Sequence, residues 1–352
     1  MGKRIVFLDY MRVIACFMVI MVHSCEFFFI DGDSIGIRNL NDGFWVSLID
    51  SAFRCSVPLF VMISAYLLVP LKESAALFFK RRLTRVVIPF AVWSLLYAAL
   101  PYLWGGAELS EVGASLLRLT YNFNAASGHM WFIYMLIGLY LFMPVISPWL
   151  EKAGRRGEEA FLCLWFLSSF FPYLRSVVGD VYGECYWNEF NMLWYFSGFL
   201  GYVVLAHYTK HYAEWSTKRS IIAGSLLYLL GYYFTATIWY DRIPTAETLR
   251  ELELSWRFCT PNVIAMSFGA FIIIRALFSR QRDGYGIVKE VSVLSYGVYL
   301  MHIFILGAVY SVVAGFLPTQ WTILTVGTIT FVVCCVLAKL ISFLPFSRYI
   351  IG

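Results

Sequence analysis

Charge is what this chain has least of. Asp, Glu, Lys and Arg make up 14% of its 352 residues, against about 25% in a typical soluble domain. Hydrophobic residues make up 60% and aromatics 19%. Such a chain cannot build a water-facing surface, which excludes an ordinary cytosolic enzyme. The same composition excludes disorder. Other absences narrow the chemistry. The eight cysteines contain no C-x-x-C, so neither a zinc site nor a thioredoxin-like motif is indicated. There is no Gly-rich phosphate loop, no G-x-S-x-G elbow and no H-E-x-x-H. No extended basic face with interleaved aromatics exists, which argues against nucleic acid as a partner. No internal repeat is visible, so the inverted-repeat signature of many transporters is missing. Cys16, Cys55, Cys163, Cys334 and Cys335 lie in apolar stretches and read as inert thiols. Cys185 and Cys259 leave one disulfide open on the outer side.

What is present is a series of apolar runs of membrane length. A helix needs about 20 such residues to cross the hydrocarbon core. Ten spans are expected, near 8–29, 44–70, 86–104, 130–150, 159–178, 189–208, 221–240, 257–278, 291–316 and 321–345. The runs are continuous rather than alternating, which argues for helices over a barrel. The expected fold is therefore all-α, a polytopic helical bundle forming one domain over residues 1–352. Met1–Arg4 has the charge of a signal-peptide n-region. Asp9 and Arg12 interrupt the adjoining apolar run and no cleavage site is evident, so the first helix reads as retained. Val6 stands where a myristoylation motif requires Ser or Thr. One set of alternating loops carries 17 Lys and Arg, from Lys3 and Arg4 through Lys80–Arg85 to Arg282 and Arg348, and the other set carries 5. By the positive-inside rule both termini are cytoplasmic. The outer loops 105–128 and 241–256 are then placed to meet an extracytoplasmic substrate.

Ionisable residues inside spans face the bundle interior and are functional candidates by default. Arg12, Arg54, Arg175, Arg275 and Lys339 qualify. Arg275 and Lys339 lie near span ends and can snorkel. Asp9 precedes Arg12 and Asp50 precedes Arg54 by one turn, so both arginines can be paired structural charges. Arg12 gains weight from His23. Eleven residues make about three turns, which puts both side chains on one face about 16.5 Å apart along the axis. That geometry suits an elongated substrate with an anionic part at Arg12 and its reactive end at His23. Glu26, one turn beyond, can orient the ring. Farther on, Phe78-Phe79-Lys80-Arg81-Arg82-Leu83-Thr84-Arg85 is followed by Ile88-Pro89. Such a cluster often only anchors headgroups, but Arg82 and Arg85 at i,i+3 can also act together on a polyanion. His129, in Gly128-His129-Met130-Trp131-Phe132, is either an interfacial residue or part of an acceptor site. His302 ends Ser295-Tyr296-Gly297-Val298-Tyr299-Leu300-Met301-His302. His207 and His211 are read as solvated loop residues, and no metal site is expected.

These segments together resemble the membrane acyltransferase 3 family. Leu8-Asp9-Tyr10-Met11-Arg12 with His23 is similar to its first-helix Arg-x10-His motif. Val57-Pro58-Leu59-Phe60-Val61-Met62-Ile63-Ser64 is similar to its second-span signature, and Phe79 to Pro89 to its Arg-x-x-Arg segment. The segments Gly128–Phe132 and Ser295–His302 are similar to its later signatures. Ala65-Tyr66 departs from the family's usual Gly-Phe or Gly-Tyr. The resemblance covers essentially the whole chain, in order. It implies transfer of an acyl group, most often acetyl, from cytoplasmic acyl-CoA to a hydroxyl of a surface-glycan or lipid-linked sugar, in a bacterial cytoplasmic (inner) membrane. Arg12, Arg82 and Arg85 would hold the CoA donor, and His23, with Arg12 and Glu26, would perform the chemistry. His129, Trp131, Tyr299, His302 and Arg54 would meet the acceptor. The expected partners are acyl-CoA, the glycan and membrane lipids, with no metal. Two other readings stay open: a transporter or flippase of a glycan intermediate, and a membrane sensor.

Overall fold

The computed structural model describes residues 4–103, 106, 108–280 and 284–352. Lys3, Arg282 and the last residue of the 86–104 span lie outside the described residues. The chain is a bundle of α-helices. In order they are α1 (Val6–Cys25), α2 (Leu40–Phe53), α3 (Ser56–Leu68), α4 (Ala75–Leu103), α5 (Leu109–Arg118), α6 (Trp131–Lys152), α7 (Gly154–Ser168) and α8 (Phe171–Val178). Next come α9 (Leu200–His211), α10 (Thr217–Arg242), α11 (Leu249–Leu252), α12 (Pro261–Leu277), α13 (Tyr285–Val313), α14 (Thr319–Ser342) and α15 (Arg348–Ile351). The β-structure includes a short hairpin, Ile30–Asp31 with Ser34–Ile35.

Among the described residues, eight helical segments are long and apolar enough to cross a membrane, and a ninth if Leu249–Trp256 and Pro261–Leu277, bent by 40°, count as one span. This is an integral membrane protein. The sixth expected span, 189–208, is not a continuous helix. Residues before Leu200 run as turns, with Asn188 and Asn191 side chains accepting from the backbone N–H of Phe190 and Leu193 at 3.1 and 2.9 Å. Those local bonds compete with helix formation. The helix proper, α9, has 12 residues, or about 18 Å of rise, well short of the core thickness.

α1 is the axis of the bundle. It packs against α2, α3, α12, α13 and α14, and Met11, Ala15, Ile20 and Met21 on it are fully buried. α10 and α12 pack tightly, because glycines let the backbones touch. A Cβ on Gly231 would sit 2.4 Å from Asn262 O, and one on Gly269 would sit 2.5 Å from Gly224 O. Small residues at helix crossings are the usual device for dispersion-driven packing in lipid.

The basic residues of the spans are all partnered. Arg54 bonds Asp50, Arg175 bonds Glu184, and Lys339 pairs with Glu290. Arg275 is half-buried and donates to the carbonyls of Thr209 and Ala213 at 2.7 and 2.6 Å, so it caps the end of α9 instead of snorkelling. His207 is not solvated: it is buried on α9 with Nδ1 2.9 Å from Glu158 Oε1. Cys185 and Cys259 are both free thiols, so the disulfide left open by the sequence is not formed.

Candidate active site

Two cavities lie along α1. The first, about 750 Å³, opens at the end of the bundle where Arg4, Arg12, Arg82, Arg85 and Lys289 gather. Asp9 pairs with Arg12 at 4.0 Å, the i,i+3 contact their spacing allowed, but its close hydrogen bonds go elsewhere. Its carboxylate accepts from Arg4 Nε and Nη2 at 2.6 and 2.8 Å, from Tyr285 at 2.7 Å and from Ser292 at 2.7 Å. The bond to Asp9 raises the pKa of Arg4. Arg12 stands 4.0 Å from Asp9 and donates to Ser292 Oγ at 3.2 Å, so most of its donors remain for the cavity. Within the basic cluster of α4, Arg81 is tied to Glu73 at 2.7 Å. Among the described residues, no ion pair engages Arg82 or Arg85, and Arg82 Nε is buried without a hydrogen-bond partner. A buried donor without a partner needs a hydrogen-bond acceptor, and this one stands beside a cavity lined by further basic side chains.

The second cavity, about 480 Å³, contains His23, Glu26, Arg54, His129, Trp131 and Glu253. It forms where helices break. α1 ends at Cys25, α2 yields to α3 at Arg54–Cys55, α6 begins at Trp131, and the bend before α12 carries Arg257, Phe258 and Cys259. Irregular backbone within a membrane bundle is tolerated where it lines a cavity, and four such breaks surround this one space. His23 Nδ1 lies 2.8 Å from Glu26 Oε1. In the tautomer that carries its proton on Nδ1, this bond leaves Nε2 as the nitrogen with a free lone pair. Arg54 stacks over Trp256 at 4.1 Å and lies 3.9 Å from Glu253, beyond its bond to Asp50. Trp131 stacks on Phe258 with centroids 5.5 Å apart, and Phe199 lies 6.1 Å from Trp131. The cavity thus combines charged side chains, Glu26, Arg54 and Glu253, with the aromatic cluster of Trp131, Phe199 and Phe258.

The histidines that the sequence offered singly come together. The His302 ring is 5.1 Å from His23 and 5.0 Å from His129, and His23 is 6.3 Å from His129. His302 is fully buried behind the cavity wall, with Nδ1 donating to Tyr299 O at 2.5 Å. The Nε2 atoms of His129 and His302 are buried without partners. Among the described residues no group of three His, Cys, Asp or Glu is arranged to hold a metal ion. His23, Glu26, Arg54, His129, Trp131 and Tyr299 all reach the second cavity, and Arg12, Arg82 and Arg85 the first. Sequence reading missed Glu253, Trp256 and Phe258. Their only signal was position, in an outer loop or at a span edge with an acid and two aromatics.

The acyltransferase 3 family model, described as an acyltransferase domain, matches residues 5–339. The matched segment contains every residue lining either cavity except Arg4. No curated protein and no solved structure matches the chain.

Proposed function

The chain belongs to the acyltransferase 3 family, and on that premise we propose that it moves an acyl group, acetyl in the simplest case, from acyl-CoA to a hydroxyl of a sugar or glycan acceptor. One observation carries the reading: α1 presents Arg12 to a basic cavity and His23, paired with Glu26 in the turn just after the helix, to a second, aromatic-lined one. The basic cavity matches the phosphates of CoA, which Arg82 and Arg85 meet first, with Arg12 deeper. Forked guanidinium donors suit phosphate. The aromatic cluster of Trp131, Phe199 and Phe258 offers apolar faces to sugar rings. Arg54 and Glu253 supply polar contacts for hydroxyls.

In the reaction, His23 Nε2 takes the proton of the acceptor hydroxyl as its oxygen attacks the thioester carbonyl. Glu26 accepts from Nδ1–H and stabilises the imidazolium that forms. The tetrahedral adduct collapses, the C–S bond breaks, and the CoA thiolate receives the proton held by His23. The products are the O-acyl sugar and free CoA. General-base catalysis of this kind is worth about 10²–10⁴ in rate. The reading places the basic cavity on the cytoplasmic side of a bacterial inner membrane, where acyl-CoA is found.

The test is label transfer from radiolabelled acetyl-CoA to cell-envelope glycan by the purified protein in lipid nanodiscs. Label should appear in glycan with wild type and not with H23A. Transport of glycan across the membrane without any acyl incorporation would overturn the proposal.

A further inference from the structure

The two cavities share two lining residues, Phe132 and Tyr299. Their rings meet edge to face, with centroids 5.6 Å apart, and both side chains are buried. Arg12 stands on one side of this aromatic septum and His23 on the other. The cavities adjoin at these two rings, so the direct path of an acyl group from the first cavity to the base runs past them.

The two halves of the septum are held differently. Tyr299 is pinned at both ends: its hydroxyl donates to His129 O at 2.5 Å, and its carbonyl accepts from His302 Nδ1. It also stacks on Tyr296 in the preceding turn of α13. Phe132 has no polar atom to anchor and is flanked by Phe60, with centroids 6.1 Å apart. It lies in the first turn of α6. Phe132 is held by packing alone, while Tyr299 is held by hydrogen bonds as well.

We propose that Phe132, closing against the hydrogen-bonded Tyr299, sets the length of acyl group that this enzyme transfers, admitting short chains and rejecting longer ones. The inference rests on acyl-CoA being the donor. Each methylene beyond the size that the gap accepts must displace the ring or be withheld from His23, and discrimination at an apolar wall is about 10- to 200-fold per methylene. Removing the Phe132 ring joins the two cavities and removes that limit. The charged contacts to CoA, on the far side of the septum, are untouched.

Two measurements test this on the full chain in detergent. The first is transfer from acetyl-, propionyl-, butyryl- and hexanoyl-CoA by wild type, F132L, F132A and F132W. Wild type should favour acetyl over butyryl, F132A should raise the butyryl-to-acetyl ratio of kcat/KM at least about tenfold, and F132W should lower transfer of every acyl group beyond acetyl. F132L keeps an apolar side chain and should fall between wild type and F132A. The second is binding of unreactive S-alkyl-CoA thioethers of the same lengths, which needs no turnover. Affinity should fall with chain length in wild type and stop falling in F132A. Equal chain-length profiles in wild type and F132A, with CoA thioethers still bound, would overturn the gate and leave the donor reading intact. Failure of wild type to bind any of the thioethers would overturn the donor reading and the gate with it.

Discussion

His23 carries a sharp expectation because its two nitrogens have separate roles. H23A should abolish acyl transfer, a loss of at least about 10², while expression and folding persist, since the ring is only partly buried and its one hydrogen bond is to a neighbour three residues away. E26Q keeps the shape but loses the charge that stabilises imidazolium, so kcat should fall less than in H23A, with donor KM unchanged. Near-normal turnover by purified H23A would remove the general-base role. On the other cavity, R82A and R85A should raise KM for acyl-CoA by about tenfold to a hundredfold, the worth of one charge-assisted contact, and leave acceptor KM in place. R12A should also lower kcat by misplacing the thioester. Steady-state kinetics with each substrate varied separately distinguishes these outcomes. If the α4 arginines only anchor headgroups, donor KM will not move. The Arg12–His23 line was legible in the sequence because one helix carries both, and helical period fixes their relation. Glu253 was not legible, since it approaches Arg54 across nearly 200 residues of chain. That Asp9 bonds Arg4 more closely than Arg12 was hidden too, because spacing permits both pairings and Tyr285 and Ser292 from α13 add their own bonds to the carboxylate.

Helices built from long apolar runs were readable, and those built around turns were not. α1, α10, α13 and α14 fall where hydropathy places them. The stretch before α9 has enough aromatic residues to look like a span, yet its Asn residues and Gly198, at a φ of +75°, turn the chain instead. Periodicity also cannot report how closely two helices approach. The α10–α12 crossing depends on Gly224, Gly231 and Gly269, and no side chain fits there without moving a backbone. G269V should lower stability by about 1–3 kcal/mol through overpacking. G138A in α6, where nothing lies within 4 Å of the added methyl, should be neutral or slightly stabilising by helix propensity. Thermal unfolding of the two variants in one detergent reads the contrast. Equal midpoints would mean that the α10–α12 contact is not the tight crossing described. The two elements also differ in consequence: α12 is continuous with the bend that brings Arg257 and Phe258 to the second cavity, so G269V should lower acceptor use along with stability.

For the molecule as a whole, the open question is which way it sits in the membrane. The fold gathers several things at one end. Arg4 reaches the carbonyl of Lys289, Arg82 and Arg85 join it around the first cavity, and α15 folds back so that Trp93 donates to Ile350 O at 2.8 Å. The start of α1 and the end of α15 therefore share the basic end of the bundle. The opposite end holds the turn after α1, where Ile243 at the end of α10 packs over Gly43 and Thr319 at the start of α14 bonds Asp42. Lys210 at the end of α9 bonds Tyr66 O near the end of α3, and the ten-span reading of the sequence puts 17 Lys and Arg in one set of loops and 5 in the other. That bias orients a membrane protein with its basic loops in the cytoplasm, which is also where a CoA donor must enter. The prediction is that K80C and K152C are shielded from an impermeant thiol reagent in intact cells and become reactive after permeabilisation. D241C, at the other end of α10, should react without permeabilisation. Cys163 and Cys185 are exposed free thiols, so the experiment needs both replaced by Ser. Labelling of K80C in intact cells would put the basic cavity outside. A CoA donor could not then reach Arg82, and the orientation and the donor assignment would fall together.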